Sequence, residues 1–309
     1  MFSFVRRRMY TSALPLIIVL LGVFLIARLT GDPTSLYLPE SATQAQRDAF
    51  RQANGFDQSV WTQLVEYFKG VLHLDFGTSL RTGEPASTMA LRAFPATLQL
   101  AVTTMFLAIV LAVVIGCWAA YRPNSLADRF SSLLSMTAAS IPDFWFAITC
   151  VWLFAVLLGV LPTSGVDSGI LSWILPVATL MIRPLGVLTQ VVRGAMVSAL
   201  SAPYVRLARS KGASDFRVVT HHALRNAAAP ALTVAGDLAV GLINGAVVVE
   251  AIFGWPGIGK LMIDAILQRD FAVLQAAVLL TAVSIFVLNI IIDACYALLD
   301  ARVREPAMA

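Results

Sequence analysis

Residues 204–226 read Tyr204-Val-Arg-Leu-Ala-Arg-Ser-Lys-Gly-Ala-Ser-Asp-Phe-Arg-Val-Val-Thr-His-His-Ala-Leu-Arg-Asn226 and form a basic, polar island between two long apolar segments. Five Lys or Arg residues stand against the single acidic residue Asp215, so the island has a net charge of +4. Basic loops between membrane spans are held on the cytoplasmic side. The island is therefore expected at the cytoplasmic face of a membrane protein.

The island also carries signals for local structure. Tyr204 to Lys211 has the composition of a helix, and Gly212 is placed to end it because glycine readily adopts the left-handed conformation that follows many helices. Ser214 or Asp215 can then cap a second short helix. The side chains of that second helix include Val218, Val219, His222 and Leu224. Two short helices joined at a glycine predict a docking surface rather than a flexible tether.

The composition of the whole chain is that of an integral membrane protein. Hydrophobic residues make up 58% of the 309 residues and charged residues only 13%, and the mean hydropathy is +0.79. A soluble domain is far more polar. The cysteines Cys117, Cys150 and Cys295 are isolated in apolar segments, which favours packed thiols over a disulfide framework or a metal site.

Apolar segments long enough to cross a membrane divide the chain. A spanning helix needs about 20 apolar residues, and six stretches qualify: roughly 9–29, 97–120, 132–161, 172–197, 230–250 and 273–299. We therefore expect an all-α membrane protein with six transmembrane helices in a single domain, 1–309. Its expected parts are an extracytoplasmic helical loop at 31–96, a transmembrane core at 97–300 that holds spans two to six, and a cytoplasmic coupling loop at 198–229.

The distribution of basic residues predicts the orientation. The expected cytoplasmic segments hold thirteen Lys or Arg residues, at positions 6, 7, 8, 122, 129, 193, 206, 209, 211, 217, 225, 302 and 304. The two short outer loops hold only Lys260 and Arg269, and the long loop is set aside because long loops cross a membrane largely regardless of charge. Both termini are therefore expected in the cytoplasm.

The 31–96 loop is the sizeable extramembrane segment, and its pattern predicts short helices. One helix is expected from Gln46 to Ala53 and another from Gln58 to Leu74, where apolar residues recur at helical spacing. Two roles remain open. The helices could cover the outer ends of the spans, or they could present a surface to an external binding protein.

No site for catalysis or nucleotide binding is evident in the sequence. Gly254 to Lys260 fits the first seven positions of a phosphate-binding loop, but the eighth is Leu261, which has no hydroxyl for magnesium. His221 and His222 are adjacent, so on a helix their side chains diverge by about 100°. The chain is therefore expected to lack an ATPase site and any cofactor of its own.

Polar residues within the apolar segments are candidates for a transport pathway, because intramembrane charges usually face a cavity or a partner. Asp237, Gly241 and Asn244 fall on one helical face of the fifth span. Arg183 and Gln190 lie in the fourth span. For Arg183, structural pairing with a carboxylate on another helix remains an open alternative.

Several motifs are distributed over nearly the whole chain. They are Tyr204-x-Arg206-x-Ala208-Arg209-x-Lys211-Gly212, His222-Ala-Leu-Arg-Asn226, Gly77-Thr-Ser79-Leu-Arg-Thr-Gly83, Pro95-Ala-Thr97-Leu98, Ser140-Ile-Pro142, Leu161-Pro-Thr-Ser-Gly165, Glu250-x-x-Phe253-Gly-Trp-Pro-Gly-Ile-Gly259, Asn289-x-x-x-Asp293 and Asp300-Ala-Arg302-Val-Arg304. Together they resemble permease subunits of ABC importers of the dipeptide, oligopeptide and nickel family. The chain departs from the general permease loop Glu-Ala-Ala-x-x-x-Gly by having Arg206-Leu207-Ala208 before Gly212, and it has Ala301 where the family usually has proline.

The resemblance implies a role for the basic island and a set of partners. Residues implied to couple the permease to an ATPase are Tyr204, Arg206, Ala208, Arg209, Lys211, Gly212 and Ala213. The implied partners are a second permease subunit, two ATPase subunits that bind ATP and magnesium, an extracytoplasmic solute-binding protein and the lipid of a bacterial inner membrane. No nucleic acid is implied.

The implied mechanism is alternating access powered by ATP hydrolysis in the partner subunits. The first expectation for the solute is a di- or oligopeptide, and a nickel chelate, glutathione or haem remains open. From other classes, an ion-driven secondary transporter would show inverted repeats and paired broken helices, and a scaffold would use the 204–226 loop to recruit a cytoplasmic enzyme.

Overall fold

The computed structural model describes residues 17–26, 34–39 and 41–299, and this part of the chain is helical and contains no β-strand. The helices are α1 (Ile17–Ile26), α2 (Thr34–Tyr37), α3 (Gln44–Ala53), α4 (Val60–His73), α5 (Ala86–Tyr121), α6 (Leu126–Ser140), α7 (Asp143–Leu157), α8 (Leu171–Leu200), α9 (Pro203–Ser210), α10 (Asp215–Phe253), α11 (Ile258–Leu267) and α12 (Phe271–Leu299). The end of α7, Val151–Leu157, and a segment near the start of α10, Val218–Ala223, are π-helical.

Four helices of the described part are long and apolar enough to cross a membrane, namely α5, α8, α10 and α12. A fifth crossing is formed if the bent pair α6 and α7 counts as one span. The predicted first span, 9–29, falls within the described residues only over α1, which is too short to cross alone. Both predicted cytoplasmic termini lie outside the described residues. Six spans therefore remain a prediction.

The predicted third span, 132–161, is wrong as a continuous helix. α6 ends at Ser140 and α7 begins at Asp143, with a bend of 104° between their axes. Ile141 and Pro142 are extended, with ψ of 126° and 134°. Proline disfavours the helical conformation in the residue before it and offers no N–H, so the helix ends there.

The second short helix predicted after Gly212 is also wrong in its length. It is the start of α10, which continues without interruption for 39 residues to Phe253. Pro230 lies inside this helix. No glycine stands between Asp215 and Pro230 to end a helix, and proline within a membrane helix is tolerated when neighbouring groups satisfy the freed carbonyl.

Contacts group the described residues into two compact units. The first comprises the residues up to Thr97 together with Pro256–Val287, and the second comprises Leu98–Trp255 together with the residues from Leu288.

In the first unit, the two helices predicted in the 31–96 loop are confirmed as α3 and α4. Thr43 and Ser59 cap them, each accepting a hydrogen bond on its side-chain oxygen from a backbone N–H of the first turn. Neither helix has a buried residue, although α4 is amphipathic. On α4, Trp61 is 73% exposed and Leu72 is 82% exposed. These helices therefore keep an apolar surface open.

Two motifs of the first unit fix its turns through buried hydroxyl groups. The Ser79 hydroxyl donates to the carboxylate of Asp270 at 2.5 Å, just before the start of α12. The Thr97 hydroxyl accepts from the backbone N–H of Ile258 at 2.8 Å, at the start of α11. Because Gly257 at the N-cap of α11 has no side chain to cap the helix, Thr97 supplies that acceptor from α5.

In the second unit, α10 packs against α8, and α8 packs against α6. Small residues allow the close contacts. A Cβ atom at Gly186 of α8 would lie 2.7 Å from Cβ of Ala138 in α6, and one at Gly116 of α5 would lie 2.8 Å from Cγ1 of Val192 in α8. Small residues at crossing points are the usual means by which membrane helices approach closely.

Candidate functional site

Helix α9 ends as its sequence predicts. The backbone N–H of Gly212 donates to the carbonyl of Arg209 at 3.0 Å. The N–H of the next residue, Ala213, donates to the carbonyl of Ala208 at 3.1 Å. This pair of hydrogen bonds is the Schellman motif, which requires a left-handed residue, and Gly212 has a φ of +82°. The predicted helix end at Gly212 is confirmed.

The same helix has one buried side and one exposed side. Val205 and Ala208 are buried, and α9 packs against the π-helical segment of α10. Ala213 is half-buried. Ala208 and Ala213 are among the residues implied to contact an ATPase, but their burial shows that they pack within the loop. The exposed residues, called the coupling surface below, are Tyr204, Arg206, Leu207, Arg209, Lys211 and Phe216.

The coupling surface combines apolar area with positive charge. Leu207 is 57% exposed and Phe216 is 80% exposed. Arg206, Arg209 and Lys211 of the same segment are also exposed. Exposed aromatic and aliphatic side chains bordered by charge are typical of a protein-binding surface. The docking role of this segment stays a prediction, and sequence reasoning missed the exposed apolar side chains of Leu207 and Phe216.

Asp215 anchors the coupling surface to two other helices of the second unit. Its carboxylate accepts a hydrogen bond of 2.7 Å from the hydroxyl of Tyr121, at the end of α5. It also lies 3.5 Å from the guanidinium of Arg209 in α9. Ser214, one of the two residues predicted to cap this helix, is its N-cap residue, but its side chain makes no capping hydrogen bond. The Asp215 carboxylate instead joins α5 and α9.

The π-helical segment links α9 directly to the long helix that crosses the membrane. Val218 and Ala223, at its two ends, are fully buried. α9 packs on one side of this segment, and the rest of α10 follows on from it without a break. α9 and the base of α10 are therefore in direct contact. π-helical insertions are frequent at functional sites.

An ion pair between two other helices of the second unit could not be predicted from the sequence. Arg193 of α8 forms an ion pair with Asp128 of α6, with Nη2 2.9 Å from Oδ2. The same carboxylate accepts the backbone N–H of Asn124 at 2.8 Å, and its side chain is only 5% exposed. In the sequence, Arg193 is only one of the basic residues that predict the orientation of the chain in the membrane. Its partner is 65 residues away, so no local pattern indicates the pair.

The predicted pathway residues lie on exposed faces of their helices. Asp237, Gly241 and Asn244 of α10 are all exposed, while Leu242 and Ile243 between them are buried. No hydrogen bond or ion pair to these polar side chains is present in the described part of the chain. An intramembrane carboxylate or amide without a partner usually faces a water-filled cavity or another subunit.

Arg183 and Gln190 of α8 form a matching exposed stripe, seven residues apart and therefore on one side of the helix. α8 and α10 are antiparallel neighbours in which Leu180 lies beside Gly245, since a Cβ atom at Gly245 would be 3.9 Å from Leu180 Cδ2. Arg183 follows Leu180 by three residues, and Gly241 precedes Gly245 by four residues. The two stripes therefore lie at matching levels, although the described residues show no bond between them.

The segment Gly254 to Lys260, which partly fits a phosphate-binding loop, begins with a turn between helices. Gly254 has a φ of +63° and ends α10, where its N–H donates to the carbonyl of Glu250. Lys260 Nζ lies 2.5 Å from the carboxylate of Asp264. The described residues include no group of three or more His, Cys, Asp or Glu side chains placed to hold a metal ion.

Comparison with known proteins is consistent with this geometry. The family model for the inner membrane component of binding-protein-dependent transport systems matches residues 112–305. The oligopeptide transport system permease protein AppB of Bacillus subtilis is 34% identical over 310 residues, which cover 97% of this chain and 98% of the relative. The glutathione transport system permease protein GsiC of Salmonella typhimurium is 37% identical over 305 residues, covering 98% and 99%.

A solved structure supports the fold. The MetNI methionine ABC transporter, in an inward-facing conformation, aligns with a TM-score of 0.57 over 69% of this chain and 96% of that chain. At 16% sequence identity this likeness shows the fold alone. The family match and the near full-length relatives show more: the chain belongs to the inner membrane components of binding-protein-dependent transport systems, as a permease subunit of an ABC importer.

Proposed function

We propose that this chain is one transmembrane half of an ATP-driven importer of di- or oligopeptides in a bacterial cytoplasmic membrane. The observation that carries the proposal is the position of the coupling surface, which lies at the base of the helix that bears the exposed Asp237, Gly241 and Asn244 stripe. Similarity to AppB over 97% of the chain supports the peptide as cargo.

The proposed mechanism is alternating access driven by separate ATPase subunits. Arg206, Leu207 and Phe216 enter a groove of the ATPase, which moves when it binds and hydrolyses ATP. Because α9 packs on the π-helical segment of α10, that movement is passed to the long helix. The binding energy of the partner must supply the shift between two states, since a ligand moves an equilibrium only by its differential affinity.

A second permease subunit is proposed to complete the pathway. The polar stripes of α8 and α10 are exposed in a single chain, and intramembrane polar groups of this kind require a cavity or a partner. We further propose that the two compact units work together as one permease domain. The complete importer would contain two permease subunits, two ATPase subunits and an extracytoplasmic solute-binding protein.

The exposed apolar face of α4 favours the second of the two roles open for the 31–96 loop. Trp61 and Leu72 are largely exposed, and no residue of α3 or α4 is buried. A cover for the span ends would bury such side chains. We propose that this surface contacts the solute-binding protein.

The proposed orientation can be tested by cysteine labelling in intact cells. Ala53 and Ser214 are exposed in the described structure, and each is replaced by cysteine in a separate variant. A membrane-impermeant reagent added outside is expected to label the first and leave the second unlabelled until the membrane is permeabilised. Labelling of Ser214→Cys in intact cells would overturn the orientation.

The function itself can be tested in proteoliposomes that contain the permease with its partner permease, the ATPase subunits and loaded binding protein. ATP-dependent uptake of tri-alanine is expected, and an imposed ion gradient without ATP should give none. Uptake driven by the ion gradient alone would support a secondary transporter instead.

Glutathione is the second candidate cargo, favoured by 37% identity to GsiC over 98% of the chain. A competition experiment distinguishes a peptide cargo from a glutathione cargo. If tri-alanine is the better cargo, unlabelled glutathione in tenfold excess should leave tri-alanine uptake nearly unchanged, whereas unlabelled tri-alanine in tenfold excess should suppress glutathione uptake.

A further inference from the structure

The break in the third span places a carboxylate inside the helical region of the second unit. Asp143 is the first residue of α7, directly after Pro142. α7 packs against both α8 and α10. A Cβ atom at Gly245 of α10 would lie 3.9 Å from Oδ2 of Asp143, so the carboxylate is at van der Waals distance from that helix.

Arg183 of α8 lies near the same point of α10, because Leu180 Cδ2 is also 3.9 Å from the Cβ position of Gly245 and Arg183 follows Leu180 by less than one helical turn. The two side chains do not form an ion pair, because in the described part of the chain no carboxylate oxygen lies within 4.0 Å of the Arg183 guanidinium. Asp143 is half-buried and Arg183 is exposed. The structural pairing left open for Arg183 is therefore not formed here as a direct contact.

Two opposite charges that lie near each other without touching are costly within a membrane, where each charged residue disfavours insertion by about 2.5–3.5 kcal/mol. Direct pairing would offset part of this cost. A gap between them is suited to a molecule that carries both charges itself, with an ammonium group toward the carboxylate and a carboxylate toward the guanidinium, which can bind it in a bidentate manner.

Two positions of α10 beside the Asp143 carboxylate carry no side chain. The neighbouring positions on that helix are Gly241 and Gly245, and a Cβ atom at Gly241 would meet nothing within 4 Å. Asn244 is exposed between them and supplies an amide that can bond to a peptide unit.

We propose that Asp143 and Arg183 form a zwitterion site in the transport pathway, in which Asp143 receives the amino terminus and Arg183 the carboxyl terminus of a short peptide. The proposal rests on the proposed function and deepens it, since it assigns the pathway a preference for peptides with free termini.

The test uses the assembled importer in proteoliposomes and measures ATP-dependent uptake of tri-alanine. Asp143→Asn and Arg183→Gln are each expected to lower uptake at least about tenfold, because each removes a charge-assisted hydrogen bond. The double variant should be as low as the lower single variant, or lower. Controls are Asp167→Asn and Arg122→Gln, which remove exposed charges elsewhere in the same unit and should leave uptake unchanged.

The double variant separates this site from a structural ion pair. If the two residues served only to neutralise each other, removing both charges would restore uptake above either single variant, because no uncompensated charge would remain. Restored uptake in the double variant would overturn the proposal, and this comparison needs only free tri-alanine.

Peptides with one blocked terminus show which terminus each of the two charged residues binds. Tri-alanine amide lacks the terminal carboxylate. Uptake of this peptide by the Arg183→Gln variant should therefore be no lower than its uptake by the control variants. For N-acetyl-tri-alanine the same should hold for Asp143→Asn. Equal losses for free and blocked peptides would overturn the site and leave the peptide function standing, whereas absent uptake of tri-alanine by the wild-type importer would overturn the peptide function as well.

Discussion

The coupling surface and the polar stripes of α8 and α10 differ in how far a single chain completes them. The coupling surface is held by its own contacts, with the Schellman motif at Gly212 and the bonds of Asp215 to Tyr121 and Arg209. The stripes are open, and Asp237 and Asn244 have no bonded partner in the described residues.

Under the proposed function, the difference separates a preformed docking element from a pathway that a second subunit or the solute would complete. A docking element must keep its shape before its partner arrives, because ordering it on binding would weaken the contact. A pathway between two subunits must instead present polar groups that remain unpaired until the second subunit or the solute covers them. The π-helical segment of α10 lies between the two regions and belongs to the same continuous helix as the stripe.

The most severe disruption of the coupling surface is expected from Gly212→Val. A β-branched residue at a φ of +82° costs at least about 1–2 kcal/mol, so the hydrogen bonds that end α9 should be lost. We expect the variant to insert into the membrane but to lose ATPase co-purification and stimulated ATP hydrolysis. Gly212→Asn is the control, because asparagine tolerates this conformation, and it should retain both. Wild-type behaviour of Gly212→Val would remove the loop from the coupling mechanism.

The open stripe should respond differently to substitution. Asn244→Leu removes an exposed amide from α10 without touching the coupling surface. We expect tri-alanine uptake to fall roughly fivefold, the effect of losing a contact worth about 1 kcal/mol, while assembly and basal ATP hydrolysis stay intact. Val248→Leu changes an apolar residue exposed on the same face and should have little effect. Equal losses in both variants would show that the stripe only packs.

The smallest effects are expected at the exposed charges of the coupling surface. Arg209→Asp should reduce stimulated ATP hydrolysis less than about fivefold, since an exposed ion pair contributes up to about 1 kcal/mol. If its role is the internal bond to Asp215, the exchange Arg209→Asp with Asp215→Arg should restore activity. Lys211→Asp should not be rescued by Asp215→Arg, and its defect should grow at low salt, because Lys211 has no carboxylate partner within the described residues.

Features set by neighbouring residues could be predicted from the sequence. Gly212 ends α9 through hydrogen bonds that reach only a few residues back, and the stripe Asp237, Gly241 and Asn244 follows from helical periodicity alone. The confirmed helices α3 and α4 likewise depend on local caps and spacing.

Features set by distant residues could not be predicted. Prolines show this most clearly, since Pro95, Pro184 and Pro230 lie inside continuous helices whereas Pro142 follows the end of one. The residue type is the same, and the surrounding helices decide the outcome. The placement of Asp143 and Arg183 near one point of α10 likewise depends on how α7, α8 and α10 pack, which no periodicity in the sequence indicates.

The most direct test of the account is a cross-link between the coupling surface and the ATPase. Leu207→Cys places a thiol at an exposed position of α9, and Ser59→Cys places one at an exposed position at the start of α4 as the control. In the assembled importer, a short thiol-to-amine cross-linker is expected to join the first variant, and not the second, to the ATPase subunit and to stop tri-alanine uptake. Absence of this product in an importer that still takes up tri-alanine would contradict the coupling role of α9.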